Sequence, residues 1–341
     1  MLEEEKKTYK LFYYWLFTSL IFVFFIIIVG GLTRLTNSGL SITEWELIKG
    51  IIPPLNKDTW TLYFNQYKKI PQYDLLNFNM TIDEFKFIFY WEYFHRIFAR
   101  IIGLFFLIPL IYFYLTKKIQ KKHLKICYII FVLIFAQGIF GWYMVKSGLI
   151  EDVTVSHYRL SLHLSTALLI ISTIFWLLMN INYKTNKSFF LIKDKNLPFQ
   201  FFIFLIFVQI IMGAFVSGLD AGKVYQTWPL MGNAYFPSDL IFENTKDILD
   251  FDNHSLVQFY HRNLAYLIIF YTLILSLFIF KKKIYELYKP LFVVILLLSL
   301  QVILGIYTLI SGLNIYLASA HQITSVLLVF GALNLYYLRA K

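Results

Sequence analysis

The sequence predicts an all-α integral membrane protein with eight transmembrane helices, arranged as two parallel-repeated four-helix bundles. Three observations carry that prediction. Of the 341 residues, 59% are hydrophobic, and mean hydropathy is +0.64, which places the chain outside the soluble globular class. The apolar residues fall in eight runs, each near the roughly 20 residues a bilayer crossing needs. The second four runs repeat motifs of the first four in the same order.

The runs lie at about 11–32, 88–115, 124–146, 156–180, 198–218, 255–280, 288–311 and 316–338. The first is long enough to span, and its flank lacks a small-residue cleavage site, so it reads as a helix and not as a removable signal peptide. The net charge of +11 is not a nucleic-acid signal, because the lysines cluster in short loops between apolar runs. Lys6, Lys7 and Lys10 precede span 1. Lys117, Lys118, Lys121, Lys122 and Lys125 lie between spans 2 and 3. Lys184, Lys187, Lys193 and Lys195 separate spans 4 and 5, and Lys281–Lys283 with Lys289 separate spans 6 and 7. These loops, with Arg339 and Lys341, share one side, so both termini are expected to be cytoplasmic.

The connections on the other side are long. Residues 36–87 carry Trp45, Pro53, Pro54 and Trp60, and residues 219–254 carry more acidic residues than lysines. Loops of this length are usually functional or disordered, and their aromatic content argues for segments that rest on the membrane surface or cap a site. Cys127 is the single cysteine, which excludes disulfides, cysteine zinc sites and iron–sulfur clusters.

The repeat is specific. Tyr93-Phe94-His95-Arg96-Ile97-Phe98-Ala99 in span 2 returns as Phe259-Tyr260-His261-Arg262-Asn263-Leu264-Ala265 in span 6. Gln137, Ile139, Gly141, Tyr143 and Ser147-Gly148-Leu149 in span 3 return at identical spacing as Gln301, Ile303, Gly305, Tyr307 and Ser311-Gly312-Leu313 in span 7. Ser161, His163, Thr166 and Leu169 in span 4 return as Ser319, His321, Thr324 and Leu327 in span 8. Spans 1 and 5 match only loosely, through Gly31 and Gly213. Four spans per half is an even number, so both halves enter from one side and the repeat is parallel. The expected domains are 1–185 and 186–341.

Charged groups inside a span cost about 2.5–3.5 kcal/mol each at mid-membrane and mark functional sites. Glu92 and His95 share a helix face at i,i+3. His95, His163, His261 and His321 sit at similar expected depth, about 10 Å into their spans at 1.5 Å per residue, so each half places two imidazoles at one level. Two facing histidines suit bis-imidazole ligation of a haem iron, whereas zinc wants three or four ligands and a di-iron site several Glu. Arg34, Arg96, Arg100, Arg159 and Arg262 lie near the ends of spans opposite the lysine-rich loops; guanidinium groups pair with carboxylates, and haem carries two propionates. His123 and His254 read as solvent-facing. His157 lies about 240° round the helix from His163 and has no counterpart in the repeat, where Ile315 occupies its position. An electron carrier with two b-type haems, or a repeat-built transporter with a His–Glu proton relay, fits these residues too.

At these positions the chain resembles the haem A synthase family of the mitochondrial and alphaproteobacterial type. The resemblance rests on Gly30-Gly31-Leu32-Thr33-Arg34-Leu35-Thr36 with Ser38-Gly39-Leu40-Ser41-Ile42 and Glu44-Trp45, on Trp91-Glu92-Tyr93 with His95-Arg96, and on Tyr158-Arg159-Leu160 with His163-Leu164. It continues through Val216-Ser217-Gly218-Leu219-Asp220-Ala221-Gly222, Thr227-Trp228-Pro229-Leu230-Met231 and His261-Arg262. A cysteine pair that some bacterial members carry in the first outer loop is missing here. The resemblance implies oxidation of the C8 methyl of haem O to a formyl group by successive hydroxylations. It implies that His95 and His163 hold the substrate haem, that His261 and His321 ligate a haem b cofactor, and that Glu92 serves the chemistry near the methyl. Arg34, Arg96, Arg159 and Arg262 are the candidate propionate partners. Membrane lipids, a haem O synthase and an electron acceptor are the candidate partners, self-association is compatible with the pattern, and the expected location is the bacterial inner membrane, or the mitochondrial one in a eukaryote.

Overall fold

The structure is a computed structural model and describes residues 2–46, 49–150, 152–190 and 193–340; Lys341 of the basic cluster lies outside the described residues. Ten α-helices follow in order: α1 Leu2–Leu35, α2 Lys57–Tyr67, α3 Pro71–Leu76, α4 Ile82–Thr116, α5 Lys121–Gly148, α6 His157–Asn182, α7 Leu197–Gly218, α8 His254–Lys281, α9 Tyr288–Ile310 and α10 Ile315–Arg339. Among the described residues the one extended pairing is an isolated bridge between Met231 and Ala234. All but α2 and α3 are long and apolar enough to cross a membrane. Large apolar side chains on these helices stay exposed, Ile108 at 65% and Phe292 at 66%, as expected where lipid is the solvent.

The chain divides into two compact units, Met1–Ile174 and Phe175–Lys341. In the first, α1 packs along α4 and α4 along α5. The expected second span begins later than α4 does, because Thr81 and Glu84 form a capping box that starts the helix at Ile82. Hydropathy does not register this start, since caps are polar. The two extra turns of α4 join a core of Trp60, Phe64, Tyr67, Phe85 and Phe89, with Leu40 and Val155. The described residues between 36 and 87 thus form a segment with its own hydrophobic centre, led by α2 against α4.

In the second unit α7 lies beside α8 and α10, and α9 lies beside the same two helices. Its core is aromatic at the lysine-rich end. Trp176 packs on Phe189, Tyr336 and Tyr337, and its indole N–H donates to the Lys187 carbonyl at 2.9 Å. Phe175 stacks on Phe330 with centroids 4.8 Å apart. These contacts place the last turns of α6 with the second unit.

Candidate functional site

Each of the four repeated histidines stands against a glycine of another helix in its own unit. A methyl group on Gly30 of α1 would lie 3.1 Å from Cε1 of His95 on α4, and one on Gly141 of α5 would lie 3.1 Å from Cε1 of His163 on α6. In the second unit the same contact joins Gly213 of α7 to His261 of α8 at 3.1 Å, and Gly305 of α9 to His321 of α10 at 2.9 Å. Helix backbones approach closely where small residues face each other, and here the vacated volume holds an imidazole edge. The pairing corrects one sequence expectation. Gly30, not Gly31, is the counterpart of Gly213, because adjacent residues lie about 100° apart on a helix and only the helix face separates them.

His95 and His163 belong to the first unit, and His261 and His321 to the second. Nδ1 of His95 and Nδ1 of His163 are buried without a hydrogen-bond partner. All four histidines are half-buried as whole residues. His321 differs: its Nδ1–H donates to the Gln301 carbonyl oxygen at 3.0 Å, and its Nε2 lone pair faces the Gln301 side-chain amide nitrogen 3.4 Å away. Gln209 Nε2 lies 3.2 Å from Nδ1 of His261 and donates to the His261 carbonyl at 3.0 Å. Gln137 donates to the His163 carbonyl at 2.9 Å. Among the described residues no three His, Cys, Asp or Glu side chains gather in a cage for a metal ion. The arrangement offers two imidazoles in each unit.

Glu92 is buried, 2% exposed. One carboxylate oxygen accepts from the Ser41 hydroxyl at 2.7 Å and the Ile42 N–H at 2.8 Å. The other accepts from Nε and Nη2 of Arg96 at 3.0 and 2.5 Å. Arg96 also donates to the Ile42 carbonyl at 3.0 Å and lies over the Trp45 ring. The i,i+4 pair on α4 therefore clamps the chain that leaves α1. The second unit repeats this clamp with changed polarity: Gln258 and Arg262 both donate to the Tyr225 carbonyl, each at 2.9 Å. Arg262 adds contacts to the carbonyls of Thr227 and Leu230. The Glu-to-Gln difference follows from what each loop presents, an N–H at Ile42 and a C=O at Tyr225.

The other candidates are less enclosed. Arg34 donates to the Asn37 side chain at 3.1 Å. Arg159 lies over the Tyr143 ring at 3.8 Å and donates to its carbonyl. Arg100 donates to the Glu46 carbonyl beside a cavity of about 20 Å³ lined by Glu44, Glu46, Tyr63, Tyr93 and Arg96, room for one water. Burial and the neighbouring Glu46 push the Tyr63 hydroxyl up to about 12. His157 is buried and packs on Tyr158 with centroids 4.0 Å apart. His254 is exposed, as expected. His123, expected to face solvent, is buried at 6% exposure and stacks on Phe12, because α1 begins early enough to cover the start of α5. Sequence reasoning missed Gly30 and Gln209. The spacing Gln209–Gly213 matches Gln137–Gly141 and Gln301–Gly305, and that signal would have found Gln209.

Fold and site together define a polytopic helical membrane protein with paired histidines set into glycine notches between its helices. The model of the cytochrome oxidase assembly protein family (COX15-CtaA) matches residues 13–333, and the chain belongs to that family. It is 49% identical over 315 residues to a protein named heme A synthase in Pelagibacter ubique, covering 92% of each chain. It is 36% identical to the heme A synthase of Flavobacterium johnsoniae over 95% of this chain and 96% of the relative. With that of Rickettsia felis it shares 39% identity over 92% of this chain and 94% of the relative.

Proposed function

We propose that this chain is a haem A synthase, a multi-pass enzyme of the bacterial inner membrane with both termini in the cytoplasm, which oxidises the C8 methyl of haem O to the formyl group of haem A. The four repeated histidine–glycine contacts, in a chain whose relatives bear that name, carry the reading. Residues 1–185 form the catalytic four-helix bundle and residues 186–341 the bundle of a resident haem b.

The residues fit haem at both places. Each imidazole packs its Cε1 edge against a glycine of a neighbouring helix, and Nδ1–H of His321 donates to a backbone carbonyl, which leaves its Nε2 without a hydrogen. His261 and His321 hold haem b, which supplies one-electron redox chemistry when bound. His95 and His163 would hold the substrate haem from two helices, α4 and α6. Arg34, Arg96, Arg159 and Arg262 are the arginines placed to recognise propionates, and each also bonds or stacks on a nearby loop or side chain. Glu92 acts through its surroundings: it fixes the Ser41–Ile42 segment and the Arg96 guanidinium at the level of the substrate.

Extraction of the pigments from purified protein tests the reading. The expected result is haem b together with haem O, haem A or the alcohol between them. Haem b alone would mark an electron carrier, and no haem a transporter.

A further inference from the structure

We propose that the apolar groove between α1 and α4 receives the prenyl chain of haem O, and that closure of its counterpart keeps such a chain out of the second unit; the inference rests on the haem reading above. The groove has a volume of about 510 Å³ and is walled by Phe25, Val29 and Leu32 on α1 and by Phe87, Trp91 and Phe94 on α4. Small-molecule sites measure roughly 300–1,000 Å³. The lining offers hydrocarbon and aromatic faces and no ionisable acid or base other than a tyrosine, which suits a ligand group that is apolar along its length. Val29 is buried, while Phe25, Phe87 and Phe94 stay exposed, so the groove opens on the surrounding lipid. It adjoins the candidate substrate site: Val29 precedes Gly30 and Phe94 precedes His95, the pair in contact across the same two helices.

Haem O carries a long prenyl chain at the porphyrin edge where haem b carries a vinyl group, and the two units differ in the matching place. Aligning Gly30 with Gly213 and His95 with His261 sets Met212 opposite Val29, Phe215 opposite Leu32, Val257 opposite Trp91 and Tyr260 opposite Phe94. There Met212, Phe215 and Val257 are buried in one cluster, with Tyr260 and Phe251 packed against it. Phe251 comes from the loop before α8 and sets its ring centroid 5.7 Å from that of Phe215. Larger side chains on α7 and a loop aromatic thus occupy what the first unit leaves open. The competing occupant is an acyl chain of the bilayer, which explains an open groove but not its closure in the half assigned to the haem without a chain. Lipid is as apolar as the groove, so the prenyl chain is selected there by shape and not by withdrawal from water.

Titrating the purified protein, its resident haem b in place, with haem O and separately with haem b tests the assignment; the share of binding lost in His95→Ala reports the first unit. Leu32→Phe gives α1 the residue of the second half, and Ile28→Trp fills the groove one turn away. Each should weaken haem O binding by about 5–150-fold, the equivalent of roughly 1–3 kcal/mol of overpacking, and leave the haem b titration unchanged, while the resident haem b spectrum shows that the variant folds. Pigment extracted from His95→Ala, made in cells that supply both haems, should be haem b alone; adding Met212→Val and Phe215→Leu should bring haem O with it. Unchanged haem O binding in both filled variants would leave the groove to a lipid chain, and equal loss of both haems would make Leu32 and Ile28 supports of the His95 contact; either result overturns the proposal. Haem b alone from the opened variant would overturn the exclusion. A native first unit that takes haem b but no haem O would overturn the synthase reading itself.

Discussion

Replacing Glu92 by Gln exchanges one heavy atom and almost no volume, yet the structure predicts a specific conflict. The carboxylate accepts four hydrogen bonds, two at each oxygen. Three donors there, the Ile42 N–H and the two Arg96 N–H groups, cannot reverse direction; only the Ser41 hydroxyl can. A glutamine must point its NH₂ at one end. Facing Arg96, it opposes two donors of a cation whose side chain is only 12% exposed. Facing the loop, it lets Ser41 accept but strands the Ile42 N–H. The second orientation is cheaper. One buried unsatisfied donor costs about 1–3 kcal/mol, and weakening a buried ion pair adds to this without reaching the roughly 3–5 kcal/mol of a fully orphaned charge. We expect a loss of about 2–4 kcal/mol on those two grounds, localised to the Ser41–Ile42 segment. The variant should fold, retain haem b, and accumulate haem O or the singly hydroxylated product. A double-mutant cycle with Arg96→Gln, read by thermal unfolding, should give a coupling energy above about 1 kcal/mol, since contacting network residues couple by 0.5–3. Unchanged melting temperature and normal haem A output would remove Glu92 from both the clamp and the chemistry.

Four further outcomes are expected. His261→Ala or His321→Ala should abolish most of the haem b absorbance; full retention there with loss in His95→Ala would reverse the assignment of the halves. Gly305→Ala gains up to about 1 kcal/mol of helix propensity but drives a methyl to 2.9 Å from His321, so the haem-free protein should keep its melting temperature while haem content falls. His163→Ala should lose activity and His157→Ala should not; the opposite pattern would move the α6 ligand to His157. Burial alone would raise the Asp239 carboxyl, but hydrogen bonds from Ser255 and Tyr225 hold it below its ordinary 3.8. A lowered carboxylate stabilises the folded state above the unfolded pKa, and that contribution fades as pH falls through the folded value. Proteolysis of residues 225–255 should therefore rise below about pH 4, consistent with that linkage, and Asp239→Asn should show the higher rate already at neutral pH.

The eight membrane helices were legible because lipid imposes a one-dimensional rule: enough apolar residues in a row to match a fixed thickness. The four histidines that pack on glycines, His95, His163, His261 and His321, were legible for a second reason, the duplication, which turns isolated histidines into matched ones. Gly30, Gln209 and the burial of His123 were not. Each depends on which helix face meets which neighbour, and a hydropathy pattern that is apolar all round carries no face. The segment between residues 36 and 87 was legible only as long and aromatic, since its core forms from α2, the start of α4 and Leu40, which are distant in sequence.

Glu92 shows the boundary most clearly. Its position four residues before Arg96 can be read from the sequence, and aligning His95 with His261 places Gln258 opposite it in the second half. The sequence also determined membrane class, repeat, family resemblance and the residue types available for ligation. Only the tertiary structure decided that the loop after α1 offers an N–H to position 92, while the loop after α7 offers a C=O to position 258. Hydrogen-bond polarity is set by how a backbone turns in space, and the side-chain code for residues 36–46 and 219–231 does not record which way their peptide groups point.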